Sequence, residues 1–158
     1  MINLQNIINF LKDNPEVSLI SNELNNLLTN YNSNDWEQYE SYDESHYKKN
    51  LVFRNHKFEI FIICWNSKKG SKVHDHSANG CIFKILKGKL TEYRYDTKSL
   101  ELKELSCLPK DTVSYIDNEI GYHKIINDTK SETVSLHIYS PPKYEGNIYC
   151  VNKNVSNR

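Results

Sequence analysis

The chain has no surplus of charge of either sign: twenty Lys and Arg balance twenty Asp and Glu. Without a cationic field it has no general attraction for nucleic acid or an anionic membrane surface, and neither is expected as a partner. Long hydrophobic runs are missing as well. The longest, Ile60 to Trp65, falls far short of the ~20 apolar residues of a membrane-spanning helix. The opening Met-Ile-Asn-Leu-Gln-Asn has neither the basic region nor the apolar core of a secretory leader, so a cytoplasmic location is expected. The four cysteines, Cys64, Cys81, Cys107 and Cys150, show no CxxC spacing. In a chain without an export signal, that predicts reduced thiols rather than a disulfide framework. No internal repeat is present. What remains is a sequence of ordinary globular composition, long enough at 158 residues for one domain with a sizeable core.

Its texture changes along the chain. Leu4, Ile7, Ile8 and Leu11 keep to one helical face with Asn3 as a candidate N-cap. Pro15 is read as the opening of a second helix, with Ile20, Leu24, Leu27 and Leu28 on one side. Residues 30–45 read as an irregular connection. From Lys49 onward short β-branched and aromatic runs alternate with turn residues, predicting strands over 50–54, 57–65, 71–75, 80–87, 89–96, 100–105, 111–116, 122–127 and 132–140. The expected architecture is mainly β: an antiparallel barrel or jelly roll. An N-terminal helical segment (1–45) should pack on the barrel (46–150), followed by a polar tail (151–158).

The stretch "HDHSANGC", residues 74–81, carries the first chemical signal. In a strand, positions i and i+2 share a face, so His74 and His76 can converge on one ion while Asp75 turns away. Alone, such a pair reads better as two surface histidines in a polar loop. It is joined by His123, four residues before Asn127, and by Gly88, seven after Cys81. These spacings resemble the two motifs of the cupin superfamily, with Cys81 where a metal-binding Glu commonly stands. The resemblance implies a double-stranded β-helix holding a metal on three histidines. Imidazoles suit iron, zinc, copper or nickel without choosing among them.

A second row, Ser135, His137 and Tyr139, falls on one face of one predicted strand. A hydroxyl, an imidazole and a phenol so arranged can act as a relay that fixes a proton position; a partly polar face beneath a loop is the plainer alternative. The Ser140–Pro141 bond that follows is expected to be cis.

Taken with "CW" at 64–65, "IGYH" at 120–123 and "YKKNLV" at 47–52, these residues strongly resemble the cysteine dioxygenase family (type I) over about residues 45–145. The resemblance implies Fe(2+) on His74, His76 and His123, with cysteine oxidised by O2 to cysteine sulfinic acid. It implies catalytic roles for Ser135, His137, Tyr139 and Cys81, and a Cys81–Tyr139 thioether crosslink. Substrate contacts would come from Tyr47, Lys49, His137 and Tyr139. Where the family uses an arginine for the substrate carboxylate, this chain has Lys49, a point charge rather than a bidentate fork. Another small thiol such as 3-mercaptopropionate remains an alternative substrate, and a non-catalytic ligand-binding cupin an alternative class. A monomer is expected. Cys64 reads as core, Cys107 as a turn residue, Cys150 as able to approach the cavity mouth, and His46 and His56 as solvent-facing.

Overall fold

A computed structural model describes residues 1–151; past Val151, the expected polar tail lies outside the described residues. Helix α1 spans Leu4–Asp13 and begins in a reciprocal cap. The Asn3 side chain accepts the Asn6 N–H at 3.0 Å, and the Asn6 side chain accepts the Asn3 N–H at 2.8 Å. Helix α2 spans Asn22–Thr29, later than expected. Pro15 sits in a turn, and the helix starts where the Ser21 hydroxyl accepts the Leu24 N–H at 3.2 Å. Ile20 therefore precedes the cap and is 65% exposed, while Leu24 and Leu28 are buried. Within the stretch expected to be irregular, a 3-10 turn over Asp35–Tyr39 buries Trp36.

Among the described residues, eight antiparallel strands follow: β1 Lys48–Arg54, β2 Glu59–Trp65, β3 Cys81–Lys87, β4 Lys89–Tyr95, β5 Leu102–Pro109, β6 Val113–Ile116, β7 Tyr122–Ile126 and β8 Thr133–Tyr139. They form a five-stranded sheet in the order β1-β2-β8-β3-β6 and a three-stranded sheet in the order β5-β4-β7. β5 starts at Leu102, two residues into the predicted 100–105 stretch, because Asp96 first closes a turn, accepting the N–H groups of Lys98 and Ser99 at 2.8 Å each. Cys107 lies on this strand, exposed and paired with Thr91, rather than in a turn. Gly88 carries the chain from β3 to β4 at φ 74°, where any Cβ would run into Thr133. The Ser140–Pro141 peptide is cis.

The central strands are buried on both faces, and the strand period of two sorts their side chains between two cores. Ile60, Ile62, Cys64, Ile82, Val134, Leu136 and Ile138 pack outward with Leu4, Ile7, Leu11, Leu24 and Leu28 of the helices. Phe61, Ile63, Trp65, Cys81, Phe83 and Ile85 point inward with Ile116 of the same sheet and with Leu90, Leu108 and Ile125 of the opposite sheet. Lys84 breaks the outward apolar row with a reason. Its Nζ is buried and donates to the carbonyls of Leu28, Thr29 and Tyr31 at 2.8, 3.2 and 2.8 Å, satisfying the open C-terminal end of α2.

The expected strand over 71–75 does not form. Only isolated bridges join Gly70 to Ile126 and His74 to His123 and Ile148. The His76 N–H goes instead to the Asn118 side chain at 2.8 Å, so the ladder stops at the histidines. Among the described residues, no helix is long and apolar enough to cross a membrane.

Candidate metal centre

His74 and His76 sit on the loop after β2, and His123 on β7 faces them. Their candidate ligand atoms all lie within 4.8 Å of one another, and the rings are 4.6–5.3 Å apart between centroids. Each ring is held from outside by an oxygen on Nδ1: the Lys72 carbonyl at 2.7 Å, Asn118 Oδ1 at 3.2 Å and Glu92 Oε2 at 2.7 Å. Oxygen acceptors at Nδ1 put the ring hydrogen there and turn the lone pair of Nε2 inward. The Nε2 of His76 is buried and has no hydrogen-bond partner among the described residues, an orphan that a bound cation would satisfy. Burial also pushes the pKa of all three imidazoles down, aided at His76 and His123 by the neighbouring rings. That keeps them neutral, the form that binds metal. The donor set fits a borderline divalent ion such as iron or zinc.

Beside this set runs a hydrogen-bonded row along the inner face of β8. Trp65 Nε1 donates to Ser135 Oγ at 2.9 Å, Ser135 Oγ lies 2.8 Å from His137 Nε2, and His137 Nδ1 is 3.3 Å from the Tyr139 hydroxyl. Phe83 stacks on the His137 ring at 4.9 Å and 8°, locking its plane. Burial lowers the pKa of His137, with Lys49 adding to the effect. Burial, with Cys81 next, raises that of Tyr139. Cys81 opens β3 as the direct cross-strand partner of Tyr139, with its Sγ 3.6 Å from His137 Nδ1. It stands outside the histidine cluster.

The third component is a cation. Lys49 Nζ lies 5.0 Å from the Tyr139 ring centroid and 5.5 Å from that of Phe61. Burial lowers its pKa, opposed by Cys81 and Glu59. Arg54 is already committed, with Nη2 2.8 Å from Glu59. Tyr47 stacks on Trp65 at 4.7 Å. Lys49, Tyr47, His137, Tyr139 and the three histidines share one cavity of about 750 Å³.

The family model for cysteine dioxygenase type I matches residues 2–150. The chain belongs to this family. It is 37% identical over 130 residues to cysteine dioxygenase type 1 of Danio rerio, an alignment covering 76% of this chain and 65% of the relative. To the Rattus norvegicus protein of the same name it is 39% identical over 129 residues, covering 76% and 64%. The chain thus spans just under two thirds of the length of these relatives. Among solved structures, a double-stranded β-helix protein from Klebsiella pneumoniae superposes with a TM-score of 0.61 at 8% identity, covering 72% of this chain and 93% of the other. A cupin superfamily protein from Desulfitobacterium hafniense gives 0.52 at 13%, covering 64% and 83%. At such identities the likeness carries the fold alone, and the fold is the cupin double-stranded β-helix.

Several residues that build the site have no motif of their own in the sequence. Glu92 is 2% exposed; one oxygen meets His123 and the other accepts Arg94 Nε at 2.9 Å. Arg94 is fixed in turn by Ser114 Oγ at 3.2 Å and the Tyr115 carbonyl at 2.9 Å. The available signal was parity: Glu92 falls in step with the core residue Leu90 on β4. Asn118, by contrast, reads as ordinary turn punctuation. Asn127 braces the barrel instead of the metal set, donating to the Trp65 and Ser131 carbonyls at 2.9 and 2.7 Å.

Proposed function

We propose that the chain is a non-haem iron thiol dioxygenase converting L-cysteine and O2 to cysteine sulfinic acid, acting as a cytoplasmic monomer. The observation that carries this reading is one cavity in which inward-facing imidazole nitrogens, a hydrogen-bonded phenol and a lysine cation meet. Two relatives bearing the name cysteine dioxygenase type 1 support it. His74, His76 and His123 would hold the ion. A ferrous ion bound there supplies the centre at which thiolate and dioxygen react.

The protein's own groups do the rest. Lys49 receives the substrate carboxylate, and Tyr47, braced on Trp65, lines the approach. Ser135 accepts the Trp65 N–H and has its hydroxyl hydrogen to give to His137 Nε2. The His137 hydrogen then sits on Nδ1 and points at the Tyr139 oxygen, which frees the phenolic hydrogen for the cavity. Burial keeps His137 neutral and Tyr139 protonated, so the row orients a donor toward substrate oxygen without adding charge. No atom leaves in the overall change: RSH and O2 become RSO2H. Cys81, facing Tyr139, is the partner for a thioether bond that would hold the phenol at one angle.

The test is a panel of thiols given with O2 to the iron-loaded chain, with sulfinates identified by mass. Sulfinate from cysteine in preference to 3-mercaptopropionate supports the reading. Preference for 3-mercaptopropionate reassigns the substrate, and binding without turnover makes the protein a ligand-binding cupin.

A further inference from the structure

Asp75 stands between two candidate ligands and takes no place in their cluster. The residue is 7% exposed, and among the described residues its carboxylate accepts only from the segment 144–149. Oδ1 accepts the Tyr144 hydroxyl at 3.0 Å and the Asn147 N–H at 2.8 Å; Oδ2 accepts Asn147 Nδ2 at 2.9 Å and the Tyr149 hydroxyl at 3.2 Å. The backbones join as well: Asp75 N donates to Asn147 O at 3.2 Å, and Tyr149 N to Val73 O at 2.9 Å. Tyr149 also stacks at 4.2 Å on Tyr122, the neighbour of His123. The segment 144–149 is thereby fastened to both elements that carry the histidines. Tyr144, Gly146 and Ile148 line the cavity, although Tyr144 and Ile148 are 42% and 61% exposed. It is a strap across an open mouth, held chiefly by one carboxylate.

We propose that Asp75 is a positioning residue that couples metal binding at His74 and His76 to closure of the strap 144–149. The inference rests on the metal reading of the three histidines. A fastened strap fixes the backbone on both sides of Asp75, so it preorders the ligand loop; a bound ion, fixing the same loop, must favour the fastened strap equally. Asp75→Asn keeps the shape but turns an amide N–H2 toward donors, which unfastens one side.

The Lys143–Tyr144 bond, at the entry to the strap, offers trypsin a reporter of opening. The full chain, stripped of metal, is titrated with Co(II), and cleavage at Lys143 is timed with and without the ion. In the wild type, Co(II) should slow that cleavage. Asp75→Asn should speed it and weaken Co(II) binding about tenfold, as loss of an outer partner of a ligand set does. The pair Tyr144→Phe with Tyr149→Phe leaves the ligand loop untouched and should shift both readouts in the same directions. Faster cleavage with unchanged Co(II) affinity in these variants, or wild-type cleavage indifferent to Co(II), overturns the coupling alone. A wild-type chain that takes up no metal overturns the histidine reading and the coupling with it.

Discussion

Cys81 and Tyr139 are direct partners across β3 and β8, and both reach the same atom, His137 Nδ1, at 3.6 and 3.3 Å. Burial raises the pKa of the thiol, with Lys49 opposing, so Cys81 is held protonated and away from the metal set. Joining sulfur to the phenol ring removes one hydrogen from each, and O2 is the oxidant that takes them. After turnover with iron, cysteine and O2, part of the protein should be lighter by two hydrogens, and a linked peptide should contain both residues. Cys81→Ser should abolish the lighter species while retaining iron and part of the activity. Loss of iron in that variant would make Cys81 a ligand.

Lys49 is the cation beside the hydrogen-bonded row of β8, set over the Tyr139 ring, whereas Arg54 is tied to Glu59. If it holds the substrate carboxylate, Lys49→Ala should raise KM for cysteine at least tenfold, about 1.4 kcal/mol, with a much smaller effect on cysteamine, which has no carboxylate. Lys49→Arg should retain or improve cysteine binding, because a fork replaces a point charge. Equal effects on the two thiols would remove Lys49 from the substrate site.

The residues that the strand period sorts are legible in the amino-acid sequence itself. Ser135, His137 and Tyr139 alternate with Val134, Leu136 and Ile138, and that alternation is the division between barrel interior and helix-facing core. The histidines and Cys81 are legible through motif spacing. Partners set by distant packing are not: Glu92 meets His123 from another strand, and Lys84 caps a helix more than fifty residues away. Two expectations fail for local reasons. Ser21 rather than Pro15 marks the helix start: Asn14, which would cap a helix opening at Pro15, closes α1 instead, while the Ser21 hydroxyl satisfies an orphan N–H. The 71–75 stretch alternates like a strand, yet its backbone bonds are divided between β7, at Ser71 and His74, and the strap, at Val73 and Asp75, so no continuous ladder forms.

Glu92 gives the three-histidine set a buried carboxylate one bond network away, although no carboxylate joins the cluster itself. Glu92→Gln keeps the shape and removes the charge, leaving Arg94 unneutralised. Metal affinity should fall by roughly ten- to a hundredfold, as for other outer carboxylates on ligating histidines. Isothermal titration with Fe(II) under anaerobic conditions reads this directly, and unchanged affinity would reduce Glu92 to a packing role.

Four imidazoles are kept neutral by burial: His74, His76, His123 and His137. Their folded pKa values lie below the ordinary 6.5, so on acidification the unfolded chain takes up protons that the folded chain refuses. The stability they contribute is therefore present above about pH 6.5 and lost as pH falls below it, by at most about 1.4 kcal/mol per pH unit for a group between its unfolded and folded pKa. The metal-free chain should show a falling urea midpoint from about pH 7.5 to about pH 5.5, and His137→Gln should flatten part of that slope. A midpoint constant over this range would contradict the buried neutral state.

In the proposed function, His74, His76 and His123 hold an iron at which both atoms of O2 pass to a cysteine thiol. The most direct measurement supplies isotopically heavy dioxygen to the Fe(II)-loaded chain with cysteine and weighs the product. The expected product is cysteine sulfinic acid carrying two heavy oxygen atoms, formed with iron but not with zinc, and absent in His123→Ala. Cystine as the only product, a single heavy oxygen, or equal activity with zinc would contradict it.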